Sequence, residues 1–163
     1  MNPNTKRVAI RCLIFAAGGM LGEVFYVAAL QAWNGNWNMH GQSSPWMMID
    51  YGLLGLVLMP VAARLIRLGL PLPARAFAYM LLIYLVEYVS GLAFSWGLGL
   101  RIWSYEGLPF NLHGQIMLYS APIWYGLGLC AESIYRKVDA VAWLLALGIG
   151  ADQLEETARE AGA

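Results

Sequence analysis

Four stretches of this chain stay apolar for longer than the core helix of a small soluble domain: Val8–Trp33, Trp46–Gly69, Ala74–Trp96 and His113–Tyr135. A hydrocarbon layer of ~30 Å is crossed by a helix of about 20 such residues. Inside that layer only helices and closed barrels satisfy their own backbone. The patterning therefore predicts an all-α fold: an integral membrane four-helix bundle made of two helical hairpins, plus a short C-terminal interfacial helix. Composition agrees. The chain is 60% hydrophobic and 12% charged with formal net charge zero, about half the charge of an ordinary soluble domain. That excludes a disordered chain and a basic nucleic-acid-binding surface. The lipid bilayer is the first partner the sequence implies.

The basic residues set a direction. Lys6, Arg7, Arg11, Arg64, Arg67, Arg75, Arg136, Lys137 and Arg159 gather on one side of the expected spans, and Arg101 alone lies on the other. Positive residues mark the cytoplasmic side, so both termini are expected there, with loops Asn34–Pro45 and Gly97–Leu112 outside. The Leu70-Pro71-Leu72-Pro73 turn is the inner connection, with proline ending one helix before the next. The apolar stretch after Lys6 and Arg7 runs past Glu23 to Ala32, too long for a signal peptide, and is expected to remain as the first helix. Residues 1–137 thus form the expected transmembrane domain. Residues 138–163 form the second unit: Val138–Gly150, a helix of ~20 Å and too short to cross, then an acidic tail with Asp152, Glu155, Glu156 and Glu160. That unit is either a plain interfacial segment or a docking point for a cytoplasmic partner. Cys12 and Cys130 have no ligand spacing around them and read as small apolar residues.

The two halves repeat. His40-Gly41-Gln42 and His113-Gly114-Gln115 close the two outer loops. Tyr51-Gly52 follows the first and Tyr125-Gly126 the second, while Glu23 and Glu87 lie in the helices upstream. Each half starts and ends inside, so the hairpins are related in parallel, and binding sites tend to lie at such a repeat interface.

Three carboxylates carry the functional interest. Glu23 lies about 22 Å and Glu87 about 20 Å along their helices from the inner ends, and Asp50 sits one turn below the outer start of its helix. A charged group facing lipid costs on the order of 2.5–3.5 kcal/mol on insertion scales, so all three should face the bundle interior at similar depth. Either they fix helix packing through hydroxyl and backbone hydrogen bonds, or they line an outward acidic pocket for a cation, a proton relay or a polar headgroup. His40 and His113 at the outer mouth lack metal-ligand spacing and are expected to cap helices or bond loop backbone; no metal or cofactor is predicted. Ser43 or Ser44 before Pro45 is the expected cap of the second helix. The loop containing Arg101, Trp103, Tyr105 and Asn111 is too aromatic for a plain solvated loop. It anchors at the headgroup zone or forms a lid over the acids, with Arg101 free to pair with an acid or a lipid phosphate.

Nucleophile-elbow, Walker A, Rossmann and metalloprotease motifs are missing from the sequence, and catalytic residues are not identified. Three functions remain open: a membrane protein that binds or moves a polar small molecule, ion or headgroup; an auxiliary subunit of a larger membrane complex or homo-oligomer; and a membrane enzyme with Glu23 or Glu87 as acid or base.

Trp103-Ser104-Tyr105-Glu106-Gly107-Leu108-Pro109-Phe110-Asn111-Leu112-His113-Gly114-Gln115-Ile116 resembles a stretch of the transmembrane protein 229 family of animals and its bacterial relatives, described as type IV ABC-transporter permeases. Gly19-Met20-Leu21-Gly22-Glu23-Val24, Gly41-Gln42-Ser43-Ser44-Pro45-Trp46 with Tyr51-Gly52, and Glu87-Tyr88 with Gly91 are similar to the family's other motifs. The resemblance covers about residues 12–135. Ser104 stands where the family carries Asp, and Glu106 where it carries Ser. The resemblance implies a polytopic transporter- or permease-like protein, singles out Glu23 and Glu87, and implies a separate ATPase partner for any ABC-type action.

Overall fold

The computed structural model describes residues 1–160; the last positions of the expected acidic tail, 161–163, lie outside the described residues. Five α-helices carry most of it: α1 (Pro3–Trp33), α2 (Met47–Arg67), α3 (Leu72–Leu92), α4 (Ala121–Leu147) and α5 (Ala151–Glu160). Three are long and apolar enough to cross a membrane: α1, α2, and α3 with the turn that continues it to Gly97.

Local chemistry explains where they start and stop. Asn2 caps α1 by accepting the Asn4 N–H at 3.0 Å, with Pro3 in the first turn. Between α2 and α3, Gly69 at φ 69° ends one helix, and extended Pro71 precedes the other, so the Leu-Pro-Leu-Pro stretch is the tight connection expected of it. Gly148, at φ 72°, ends α4 in the left-handed conformation open to glycine. At the C-terminal end of α3 the helix widens into a π turn, Ala93–Gly97.

The fourth apolar stretch departs from expectation at both ends. His113-Gly114 is no helix cap: both residues are left-handed, at φ 51° and 68°. They turn a small antiparallel hairpin of β1 (Asn111–Leu112) and β2 (Ile116–Met117), and the helix begins only at Ala121. The other copy, His40-Gly41, has neither residue at positive φ; Gly41 instead packs against the Val24 backbone. The two copies share letters but not conformation. Farther on, Val138–Gly150 is not a separate interfacial helix. α4 runs through Lys137 to Leu147 without a break, because Asp139 is drawn inward by arginines of α1. The short terminal helix is α5, whose described residues are all exposed.

α1 packs along α2 and α4, and α3 along α4 and α2. Ala62, Ala76, Tyr79 and Ala142 are fully buried at these contacts. The α3–α4 approach is closest at Gly128, where a Cβ would stand 2.5 Å from the Ala76 carbonyl oxygen; small residues at helix contacts allow this. One core cluster joins Leu58, Ala62, Tyr79, Ala131 and Tyr135, and a second joins Met80, Tyr84 and Ile116.

Candidate functional site

Toward the C-terminal ends of α1 and α3 and the N-terminal end of α2, Glu23, Asp50 and Glu87 come close enough to repel one another when ionised. Asp50 and Glu87 are buried, Glu23 half-buried. Hydroxyl groups meet each of them. Ser43 donates to Glu23 Oε2 at 2.7 Å and Tyr51 to the same oxygen at 2.9 Å. Ser90 Oγ bonds Asp50 Oδ1 and lies 2.7 Å from the carbonyl oxygen of Val86. Tyr105, from the loop between α3 and α4, donates to Glu87 Oε1 at 3.1 Å. Among the described residues, no Lys, Arg or His forms an ion pair with any of the three.

The backbone positions these donors. The Tyr51 ring lies against Gly19, one turn before Glu23, in space that a Cβ would occupy; α2 thereby lays a phenol along α1 with its hydroxyl at the carboxylate. Of the two expected caps of α2, Ser43 is turned to Glu23 instead and Ser44 Oγ accepts only the Trp46 N–H at 3.4 Å, so Trp46 occupies the cap position with no side-chain cap. Tyr105 is carried down by a loop whose backbone bonds Gly114 at 2.8 Å. Burial pushes the Tyr105 phenol well above its ordinary range, and the charges of Glu87 and Glu23 push it further, so it remains a hydrogen-bond donor. Beside it, Trp103 Nε1 donates to the Gln115 carbonyl at 2.8 Å. Phe94 of the π turn makes edge contacts with Trp103 and Trp46, at ring separations of 6.1 and 5.9 Å. This aromatic row ties the α3–α4 loop to the start of α2.

Two polar atoms here stay unsatisfied. Glu87 Oε2 and Trp124 Nε1 are both buried with no hydrogen-bond partner. They lie near one another: the Trp124 indole is close enough to act on the Glu87 carboxyl as a weak hydrogen-bond donor, outside the geometry of a full bond. A buried acceptor without a partner costs free energy, and an acceptor and a donor orphaned side by side suit a group that can answer both.

The other candidates lie apart. Arg101 does not reach the acids; it pairs with Glu106 of its own loop at 2.8 Å, both exposed, because five residues of chain bring the two together. Asn111 serves the hairpin, donating to the Leu108 carbonyl at 2.6 Å and accepting the Gly114 N–H at 2.9 Å. His113 meets the Tyr88 hydroxyl through Nδ1 at 2.7 Å. His40 is exposed and is not brought to the cluster. Ser43, Tyr51, Ser90 and Trp124 were not singled out as site residues by sequence reasoning; Tyr51 and Trp124 carry a signal, lying at or beside the repeated Tyr-Gly.

A second polar layer, also unforeseen, holds the opposite ends together. Arg11, only 4% exposed, donates to the Gly55 carbonyl at 2.7 Å and to Asp139 Oδ1 at 2.7 Å. Arg7 joins the same carboxylate and lies over the Trp143 ring, 5.1 Å from its centroid. Arg75 of α3 donates to Glu132 of α4 at 2.6 Å, and Tyr79 donates to the same oxygen at 2.8 Å. Acids of α4 thus bind arginines of both α1 and α3.

No solved structure matches the chain. The family described as Putative ABC-transporter type IV matches residues 11–147, which takes in α1 from Arg11 onward through α4 and, apart from Arg7, both polar layers, and this transmembrane protein belongs to that family.

Proposed function

We propose that the chain is a permease-like membrane component whose four helices, α1 to α4, cross the bilayer as a bundle with both termini cytoplasmic. Its outward-facing acidic site, built on Glu23, Asp50 and Glu87, receives a cation or the polar group of a small molecule or lipid. Hydropathy alone undercounts α4 because of Glu132, Arg136, Lys137 and Asp139; pairing of both acids with α1 and α3 removes much of that cost. The observation that carries the reading is the buried Glu87 Oε2, which accepts no full hydrogen bond among the described residues, within three carboxylates that have hydroxyl donors but no counter-ion. Tyr105 closes the site from outside and leaves Glu87 with one free oxygen. Residues 1–163 carry no Walker A motif, so any ATP-driven step is supplied from outside them, which fits a role inside a larger assembly.

A second reading rests on the hydroxyl partners themselves: Ser43, Tyr51, Ser90 and Tyr105 already satisfy one oxygen of each acid, as a purely structural network would. Binding separates the two. Trp124 reports on the site, so tryptophan fluorescence of purified protein is titrated with sodium, potassium, choline and ethanolamine chlorides, for wild type, Glu87→Gln and Glu23→Gln. A saturable response to at least one cation, weakened tenfold or more in both variants, is expected. Superimposable curves for all three proteins would leave the structural network as the answer.

A further inference from the structure

Away from the acids, a cleft of about 450 Å³ opens between α3 and α4 at the end where the basic residues gather. Its walls carry Arg75, Arg136 and Lys137 against the single acid Glu132, in a chain whose net charge is zero. The charges are unequal in availability. Arg75 is bound to Glu132 and to the Leu70 carbonyl, and Glu132 is consumed by it. Arg136 is 64% exposed and stands 3.8 Å from Glu132, outside hydrogen-bond range, and Lys137 is exposed. Two cations are therefore left at the rim, with the Ser133 hydroxyl beside them and the leucines Leu72 and Leu129 forming the apolar part.

We infer that this cleft is a binding site for the phosphate of an anionic phospholipid, with Arg136 and Lys137 holding the headgroup and Leu72 and Leu129 contacting its acyl chains. Basic clefts between membrane helices on the cytoplasmic side take anionic headgroups. A free phosphate would use the same two cations, but it gains nothing from leucines. The apolar wall of Leu72 and Leu129 selects the amphiphile. Arg75 acts from behind, because its ion pair with Glu132 keeps that carboxylate from repelling the phosphate. The site shares no residue with the outer acidic cluster.

The test is lipid retention measured by native mass spectrometry after exchange into micelles holding equal phosphatidylglycerol and phosphatidylcholine. Wild type is expected to retain phosphatidylglycerol preferentially. The double variant Arg136→Gln/Lys137→Gln, at two exposed positions, is expected to lose roughly tenfold or more of that preference. Arg64→Gln/Arg67→Gln, which removes two exposed cations of α2 at the same end, is expected to keep it, and excess inorganic phosphate is expected to leave it unchanged. Equal retention of the two lipids, an undiminished preference in the Arg136/Lys137 variant, or an equal loss in the α2 variant would overturn the inference. Displacement by inorganic phosphate would also overturn it, by making the cleft a free-anion site.

Discussion

Replacing Asp139 by Asn tests how the two polar layers differ. The carboxylate serves two arginines of unequal exposure. The Arg11 side chain is 5% exposed and that of Arg7 29%. Removing the charge strands Arg11, whose remaining partners are the Gly55 carbonyl and the Met59 sulfur at 2.9 Å. Arg7 can swing toward water. Breaking a buried ion pair from one side costs about 3–5 kcal/mol, whereas a largely exposed pair contributes about 0–1. The carbonyl that Arg11 retains, and the amide oxygen left by Asn, place the loss at the lower end, about 3 kcal/mol, or about a hundredfold in the unfolding equilibrium. Reversible denaturation in mixed micelles, followed by circular dichroism, measures it. The same reasoning predicts that Arg11→Leu/Asp139→Leu recovers most of the loss, because a desolvated pair returns little beyond a well-packed apolar pair. A loss under about 0.5 kcal/mol in Asp139→Asn, or a double variant worse than the single, would refute the account of Arg11 as a charge sustained by Asp139.

Gly128→Ala pushes a methyl into the Ala76 carbonyl and should cost about 1–3 kcal/mol by overpacking. Gly18→Ala, with open space around it, should be harmless in the same denaturation assay. Tyr51→Phe removes one of two donors to Glu23; a double-mutant cycle with Glu23→Gln should show coupling of about 1 kcal/mol or more. In the folded protein the Tyr105 phenol titrates above its unfolded value of about 10. Its contribution is therefore intact below that pH and is lost as pH rises, and Tyr105→Phe should flatten the alkaline fall in stability above about pH 10. In a background lacking Cys12 and Cys130, cysteines at Asn36 and Ser104 should react with an impermeant maleimide from outside the cell, and cysteines at Lys6 and Lys137 should not.

Much of the architecture is legible in the residues because hydrophobic runs and proline-glycine stops act locally. The Leu70–Pro73 turn and the apolar lengths of α1 to α3 need no tertiary information. The start of α4 does. His113 to Ser120 is apolar enough for a helix, and only pairing of Asn111–Leu112 with Ile116–Met117 turns it into a hairpin. Likewise the depth of Glu23, Asp50 and Glu87 follows from counting residues, but their donors do not. Ser43 and Ser44 both read as caps that would accept a backbone N–H, and only the placement of α1 shows that the Ser43 hydroxyl donates to Glu23. Arg11 reads as a topology marker, and its burial follows from Asp139, 128 positions away. Tyr105 reads as an interfacial anchor, and its reach to Glu87 depends on the loop being held at Gly114.

The acids of α4 bear on how such a chain is made. α1 and α3 are translated before α4, so Arg11 and Arg75 wait in the nascent protein for carboxylates that arrive later. If α4 crosses the bilayer as proposed, a helix carrying Glu132 and Asp139 enters lipid poorly alone and readily beside arginines already placed. Synthesis order and charge order then coincide: the two early hairpin arms form a charged template, and α4 is the clasp that closes both at once. Truncation before Glu132 should leave the arms inserted but unfastened, as substrates for quality-control proteases.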